Sequence, residues 1–139
     1  MEKKITVESS INESREKVWN MFNAPKAIVK WNSGSSEWHT TEAENNLRVG
    51  GSFKYRMEAK DGSAGFDFVG TYDEVVPLER IVYTMAGDDA RKVEVAFADM
   101  GNNTHVVVTF DAETINPIEM QRSGWQHILN NLKDYSESH

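Results

Sequence analysis

The chain has four histidines, His39, His105, His127 and His139, and no two stand at a metal-ligand spacing such as His-x-x-x-His beside an acid. Alternation turns His105 outward, His127 falls opposite Trp125 on a predicted helix, and His139 is the last residue, so these three read as solvated. His39, next to Trp38, stays as a site candidate. Ser33, Ser35 and Ser36 cluster, but no Gly-x-Ser-x-Gly elbow presents a nucleophile. Gly50-Gly51 lacks the Gly-Lys-Ser/Thr ending of a phosphate loop. Asp67, Asp73, Glu74 and Glu94 fall on water-facing strand positions or strand ends, the ordinary place for charge. No pair of carboxylates stands out for acid–base work. With no cysteine, disulfides, thiolate metal sites and cysteine nucleophiles are excluded together. No catalytic residue, metal or cofactor is therefore assigned.

What remains is an aromatic set with a few polar groups in it. Phe53, Tyr55 and Met57 share one side of a strand, as do Phe66, Phe68, Gly70 and Tyr72. Ile81, Tyr83 and Met85 continue the pattern, followed by Val93, Val95 and Phe97, then Val106, Val108 and Phe110. Their sequence neighbours, among them Lys54, Arg56, Thr84, Lys92 and Glu94, prefer water. Lys3-Lys4 and Arg91-Lys92 also read as solvated strand positions. The rings can simply fill a core. Collectively they can also line a hollow, because a sheet wrapped round one helix is hard to fill. The hydroxyls of Tyr55, Tyr72 and Tyr83 need partners when buried. Gln121 sits on the apolar face of the last helix, between Ile118 and Trp125. It can orient a ligand, or it can bond the backbone of a neighbouring loop; both readings stay open.

The elements that hold these residues follow from periodicity. Residues 4–11 alternate as a strand. Asn12 reads as the cap of a first helix carrying Val18, Trp19, Met21 and Phe22, and Pro25 suits the first turn of a second, with Ala27, Ile28 and Trp31 inward. After the polar loop 32–36, strands are predicted at about 37–43, 51–60, 65–76, 80–86, 91–99 and 104–113. Asp61-Gly62, Gly87-Asp88-Asp89 and Gly101-Asn102-Asn103 are turns. Asn116 and Glu119 read as a capping pair for the long helix with Gln121, Trp125, Ile128, Leu129 and Leu132 on one face. Gly124 within it has two readings, close approach to another backbone, which is preferred, or a widened pocket mouth. The order is α+β: one strand, two short helices, six strands and a long C-terminal helix. Short turns make the sheet antiparallel, with the first strand at an edge and the helix across the concave face.

At 139 residues the chain reads as a single domain, 1–139. Its net charge of −7 argues against nucleic acid and anionic membrane as partners. No apolar run is long enough for membrane insertion. The first residues are charged and strand-like rather than a signal peptide, and the lack of cysteine suits a reducing compartment, so a cytoplasmic location is expected.

Several runs occur in a characteristic order. They are Val18-Trp19, Pro25 through Trp31, Gly50-Gly51-Ser52-Phe53, Phe68-Val69-Gly70-Thr71-Tyr72, Glu74-Val75-Val76-Pro77-Leu78-Glu79-Arg80-Ile81-Val82-Tyr83, and Gly124-Trp125. Over residues 3–135 the chain resembles the family of homologues of the activator of the heat-shock-ninety chaperone ATPase, within the START-like (SRPBCC) superfamily. The resemblance implies a helix-grip fold: a seven-stranded antiparallel sheet gripping the C-terminal helix around a cavity. It also implies a small hydrophobic or aromatic ligand.

The leading expectation is thus a binding protein rather than an enzyme. Its hollow is expected to measure about 300–1,000 Å³. Its mouth is expected near Trp31, loop 32–36 and Trp38. Apolar contact would come from Phe53, Tyr55, Phe66, Phe68, Tyr83, Met85, Val95, Phe97 and Trp125, and a directional hydrogen bond from Gln121. Two alternatives stand beside it. One is a cyclase, hydrolase or dehydratase using Tyr83 or His39 as proton donor; the other is a chaperone-associated interaction protein.

Overall fold

Strand β1 (Lys4–Ile11) leads into two short helices, α1 (Arg15–Asn23) and α2 (Pro25–Trp31). A meander follows: β2 (Trp38–Asn45), β3 (Ser52–Ala59), β4 (Gly65–Val76), β5 (Arg80–Met85), β6 (Lys92–Asp99) and β7 (Thr104–Asp111). Helix α3 (Ile118–Ser138) closes the chain. The computed structural model describes residues 3–33, 36–87 and 90–139; residues 34–35 of the expected polar loop and 88–89 of the expected turn lie outside the described residues. The strands form one seven-stranded antiparallel sheet in the order β1-β7-β6-β5-β4-β3-β2. This is the expected helix-grip arrangement, with β1 at an edge. No helix among the described residues is long and apolar enough to cross a membrane.

The alternation read from the sequence is the burial observed. Phe53, Tyr55 and Met57 are buried on β3, Ile81, Tyr83 and Met85 on β5, and Val93, Val95 and Phe97 on β6. The opposite face carries ion pairs such as Arg56 with Glu58 and Asp67, and Arg80 with Glu74 and Glu94.

Helix α3 packs chiefly against β1, and less extensively against α1 and α2. Leu129 and Leu132 are buried there, and the ring of Trp125 stacks on Phe110 of β7 at 4.1 Å. The helix therefore stands over the β1 side of the sheet rather than over its middle.

Three local expectations need correction. Ser14, not Asn12, caps α1: its Oγ accepts from the Lys17 amide, while the Asn12 amide bonds the carboxylate of Glu137. Strand β1 runs through Ile11, and a turn closed by the Glu13 amide on the Ile11 carbonyl uses the next residues. Asn116 and Glu119 do not cap α3, whose N-cap is Pro117 without a side-chain bond. Asn116 instead donates from both amide groups to Glu113, and Glu119 pairs with Arg122. Gly124 meets no other backbone: a Cβ built there has nothing within 4 Å.

Asp111 fastens the β1 edge. Its Oδ1 lies 2.5 Å from Lys4 Nζ, and its Oδ2 accepts from the Lys92 amide at 2.9 Å. Burial pushes its carboxyl pKa up, but Lys4 and the Lys92 amide together hold it below the usual carboxylate value. Stability from a depressed acid is present above the unfolded pKa and is lost as pH falls through the folded one. The stability difference between wild type and Asp111→Asn is therefore expected to be full at neutral pH and to close below about pH 4. Urea titrations at pH 7 and pH 3 check this, and a difference unchanged at pH 3 contradicts it. In the same assay Leu132→Ala is expected to cost about 2–5 kcal/mol, whereas Gly124→Ala should add up to about 1 kcal/mol.

Candidate functional site

Because α3 stands to one side, a hollow of about 490 Å³ remains between it and strands β3–β6. Its floor is a cluster of rings. Phe53 lies 4.8 Å from Tyr55, 4.8 Å from Tyr83 and 5.4 Å from Phe68, each measured between centroids. Phe53 settles there because its cross-strand partner is Gly70: a Cβ on that residue would come within 2.5 Å of the Phe53 ring. Trp125, Ile128, Leu129 and Leu132 of α3 form the opposite wall. Phe22 and Trp31 close one flank as a stacked pair 5.3 Å apart, and the Trp31 Nε1–H is satisfied by the Met21 carbonyl at 2.8 Å. Met85, Val95 and Val108 complete the apolar lining. At the hairpin end of β3 and β4, Trp38 and Phe66 lie 5.7 Å apart, and Phe66 is exposed.

The polar groups in this apolar space are few and ordered. The Tyr72 hydroxyl donates to Asn45 Oδ1, and Asn45 Nδ2 in turn donates to the Asn23 carbonyl at 2.9 Å. This relay satisfies the Tyr72 phenol. Tyr83 is also buried, beside Tyr55 and Tyr72, yet its hydroxyl forms no hydrogen bond among the described residues. Burial raises all three pKa values: Tyr72 is pushed up to about 12, and Tyr55 and Tyr83 go well above their ordinary value. Each is thus a neutral O–H group at physiological pH. Arg91 and Glu113 also line the hollow.

Most of the sequence candidates converge on this space. Trp31, Trp38, Phe53, Tyr55, Phe66, Phe68, Tyr83, Met85, Val95 and Trp125 all line it. Two candidates lie elsewhere. Gln121 has its amide committed to the loop before α3: Oε1 accepts from the Glu113 amide at 2.9 Å, and Nε2 donates to the carbonyls of Glu113 and Asn116 at 3.2 and 2.8 Å. The loop-backbone reading of Gln121 is the observed one. Phe97 faces inward, as its parity requires, but sits under α1, with its ring 5.1 Å from Trp19 and 5.5 Å from Phe22. His39 is not part of the lining; its strand partner is Glu58, while its neighbours Trp38 and Thr40 turn inward.

The residue that sequence reading misplaced is Arg91. Lys92 is indeed solvated, paired with Asp73 at 3.1 Å. Arg91, however, shares parity with Val93, Val95 and Phe97, and that parity was the signal available. Asn32, after α2, and Met57 were also missed as a pair: Asn32 Nδ2 reaches Met57 Sδ at 3.4 Å and Thr40 Oγ1 at 3.2 Å.

A family model described as "Activator of Hsp90 ATPase homolog 1-like protein" matches residues 12–137. An AHSA1-like protein from Aeromonas hydrophila, solved by solution NMR, is 47% identical; the match covers 98% of this chain and 93% of that one, with a TM-score of 0.89. Chr148 from Cytophaga hutchinsonii is 48% identical over 97% of this chain and 92% of its own, with a TM-score of 0.83. Protein CV1439 from Chromobacterium violaceum is 26% identical over 97% and 98%, with a TM-score of 0.88. No functionally curated protein matches the chain.

The floor of the hollow depends on the Phe53–Gly70 contact. Gly70→Ala is expected to displace the Phe53 ring and to shift the aromatic NMR signals of Tyr55 and Tyr83, with a stability loss of about 1–3 kcal/mol from overpacking. Unchanged ring signals contradict that geometry.

Proposed function

The chain belongs to the Activator of Hsp90 ATPase homolog 1-like family, and from that premise we propose that it binds a small hydrophobic or aromatic molecule between α3 and the sheet. One observation carries the reading: an apolar, ring-lined space of about 490 Å³ lies between α3 and the sheet. That volume falls within the roughly 300–1,000 Å³ of small-molecule sites. Its walls suit such a ligand. Edge-on and stacked rings supply apolar area, and a small number of hydroxyl and charged groups supply direction. The cysteine-free composition suits a reducing compartment, and a cytoplasmic location belongs to the same reading.

The test is an NMR titration with 2-naphthamide, a flat neutral probe. Saturable shifts are expected at Phe68, Ile128 and the Trp125 indole. Phe68→Ala should weaken binding about fivefold, the equivalent of one aromatic contact. Shifts confined to the outer charged face, or no saturable binding, overturn the proposal.

A further inference from the structure

We propose that the hollow opens to solvent between Gly124 of α3 and Phe66 of β4, and that Gly124 is the residue that keeps this entrance wide enough for a ring compound to pass. This deepens the binding reading above and rests on it.

Packing does not account for this glycine. Inside a helix glycine is costly relative to alanine, because it loses more backbone freedom and brings no side chain to pack. The usual compensations are close approach of another element or a left-handed backbone. Neither holds here. Gly124 lies within α3, has no positive φ, and a Cβ added to it meets no described residue within 4 Å. What stands beside it is open space.

Its place on the helix says which space that is. At about 100° per residue, Gly124, Ile128 and Asn131 share one edge of α3, and Gln126 and Lys133 share the other. The second edge is tied to β1: Gln126 Nε2 donates to the Glu8 carbonyl at 3.1 Å and Lys133 Nζ to the Ser10 carbonyl at 2.9 Å. The edge carrying Gly124 faces the other way, and Ile128 on it lines the hollow. At its far end Asn131 Nδ2 donates to the Ser33 carbonyl at 3.1 Å, and Ser33 Oγ donates to the Trp38 carbonyl at 2.6 Å. The gap is bridged there. One turn before Ile128, at Gly124, no described residue bridges it.

Phe66 marks the opposite lip. It lines the hollow and yet is 51% exposed, whereas Tyr55 and Tyr83 on the floor are 7% exposed. A side chain that borders both the interior and the solvent stands where the two meet. The Trp38 ring, 5.7 Å away, supports it from behind. Trp31, where the sequence placed the mouth, is buried and donates its Nε1–H to the Met21 carbonyl, so it closes a flank instead.

Stopped-flow tryptophan fluorescence on the full chain follows 2-naphthamide as it enters and leaves. Gly124→Leu is expected to slow association at least about tenfold, and dissociation by a similar factor, because passage then waits on movement of the added side chain. Its urea midpoint should not fall below that of wild type, since leucine favours a helix over glycine, and this reports that the variant is folded. Phe66→Ala, on the opposite lip, should speed both rates. Ser123→Leu, at an exposed position beside Gly124, should change neither. Rates unchanged by Gly124→Leu, or slowed as much by Ser123→Leu, overturn the entrance alone. A lower urea midpoint for Gly124→Leu overturns it too, because the side chain has then met something. If 2-naphthamide does not bind wild type, the binding reading falls and this inference with it.

Discussion

The anchoring of α3 to the β1 side of the sheet is the constraint from which the interior follows. Leu129 and Leu132 are buried, Trp125 is stacked on Phe110, and the amides of Gln121 fix the turn into the helix. Each of these contacts holds the helix over β1 and β7 and the two short helices. None draws it down onto β3–β5. The aromatic face of those strands is left looking across a gap, because a rigid helix cannot cover both sides of a curved sheet. The hollow is thus a result of where the helix is tied, rather than of missing side-chain volume. The two short helices close the gap on one flank through the stacked Phe22 and Trp31.

Within that space the sequence spends its polar groups unevenly. Tyr72 donates to Asn45, whose side-chain amide carries the bond on to the backbone of α1. These bonds join the sheet floor to the helical flank and take the Tyr72 hydroxyl out of the set that a ligand could use. Tyr83 stands one strand over from Tyr72, paired with it in register, and is not taken up. The floor hydroxyls therefore differ: that of Tyr72 on β4 is committed to Asn45, while that of Tyr83 on β5 has no hydrogen bond among the described residues. A space with direction results, rather than a uniform apolar bag.

The fold was legible because period-two alternation is a local property. Phe53, Tyr55 and Met57 face inward for the same reason that Lys54 and Arg56 do not, and no long-range knowledge is needed to see it. The site was legible only as far as parity reaches. Phe97 obeys parity, but its distance along β6 puts it beneath α1, and the packing of α1 is a tertiary fact. Gln121 lies on the inner helix face, yet its short reach lets the preceding loop claim it first. Arg91 failed the other way: its charge suggested water although its parity pointed inward. Long side chains commonly bury their stems, so charge alone is a weak guide to which face a residue occupies. Gly124 was given a packing role from its helix cost, and the space beside it is open.

The central claim is that α3 and the aromatic floor hold a standing gap in solution. Xenon tests it without assuming anything about ligand chemistry, since the gas enters apolar cavities and little else. Carbon–proton NMR spectra recorded under increasing xenon pressure should show saturable shifts at the Ile128 methyl groups and the Phe68 and Tyr83 rings. Outer residues such as Val107 and Thr109 should stay unmoved. If xenon instead shifts only surface groups, or shifts nothing on the β5 floor and the α3 wall, then the helix closes onto the sheet and the account of the interior is wrong.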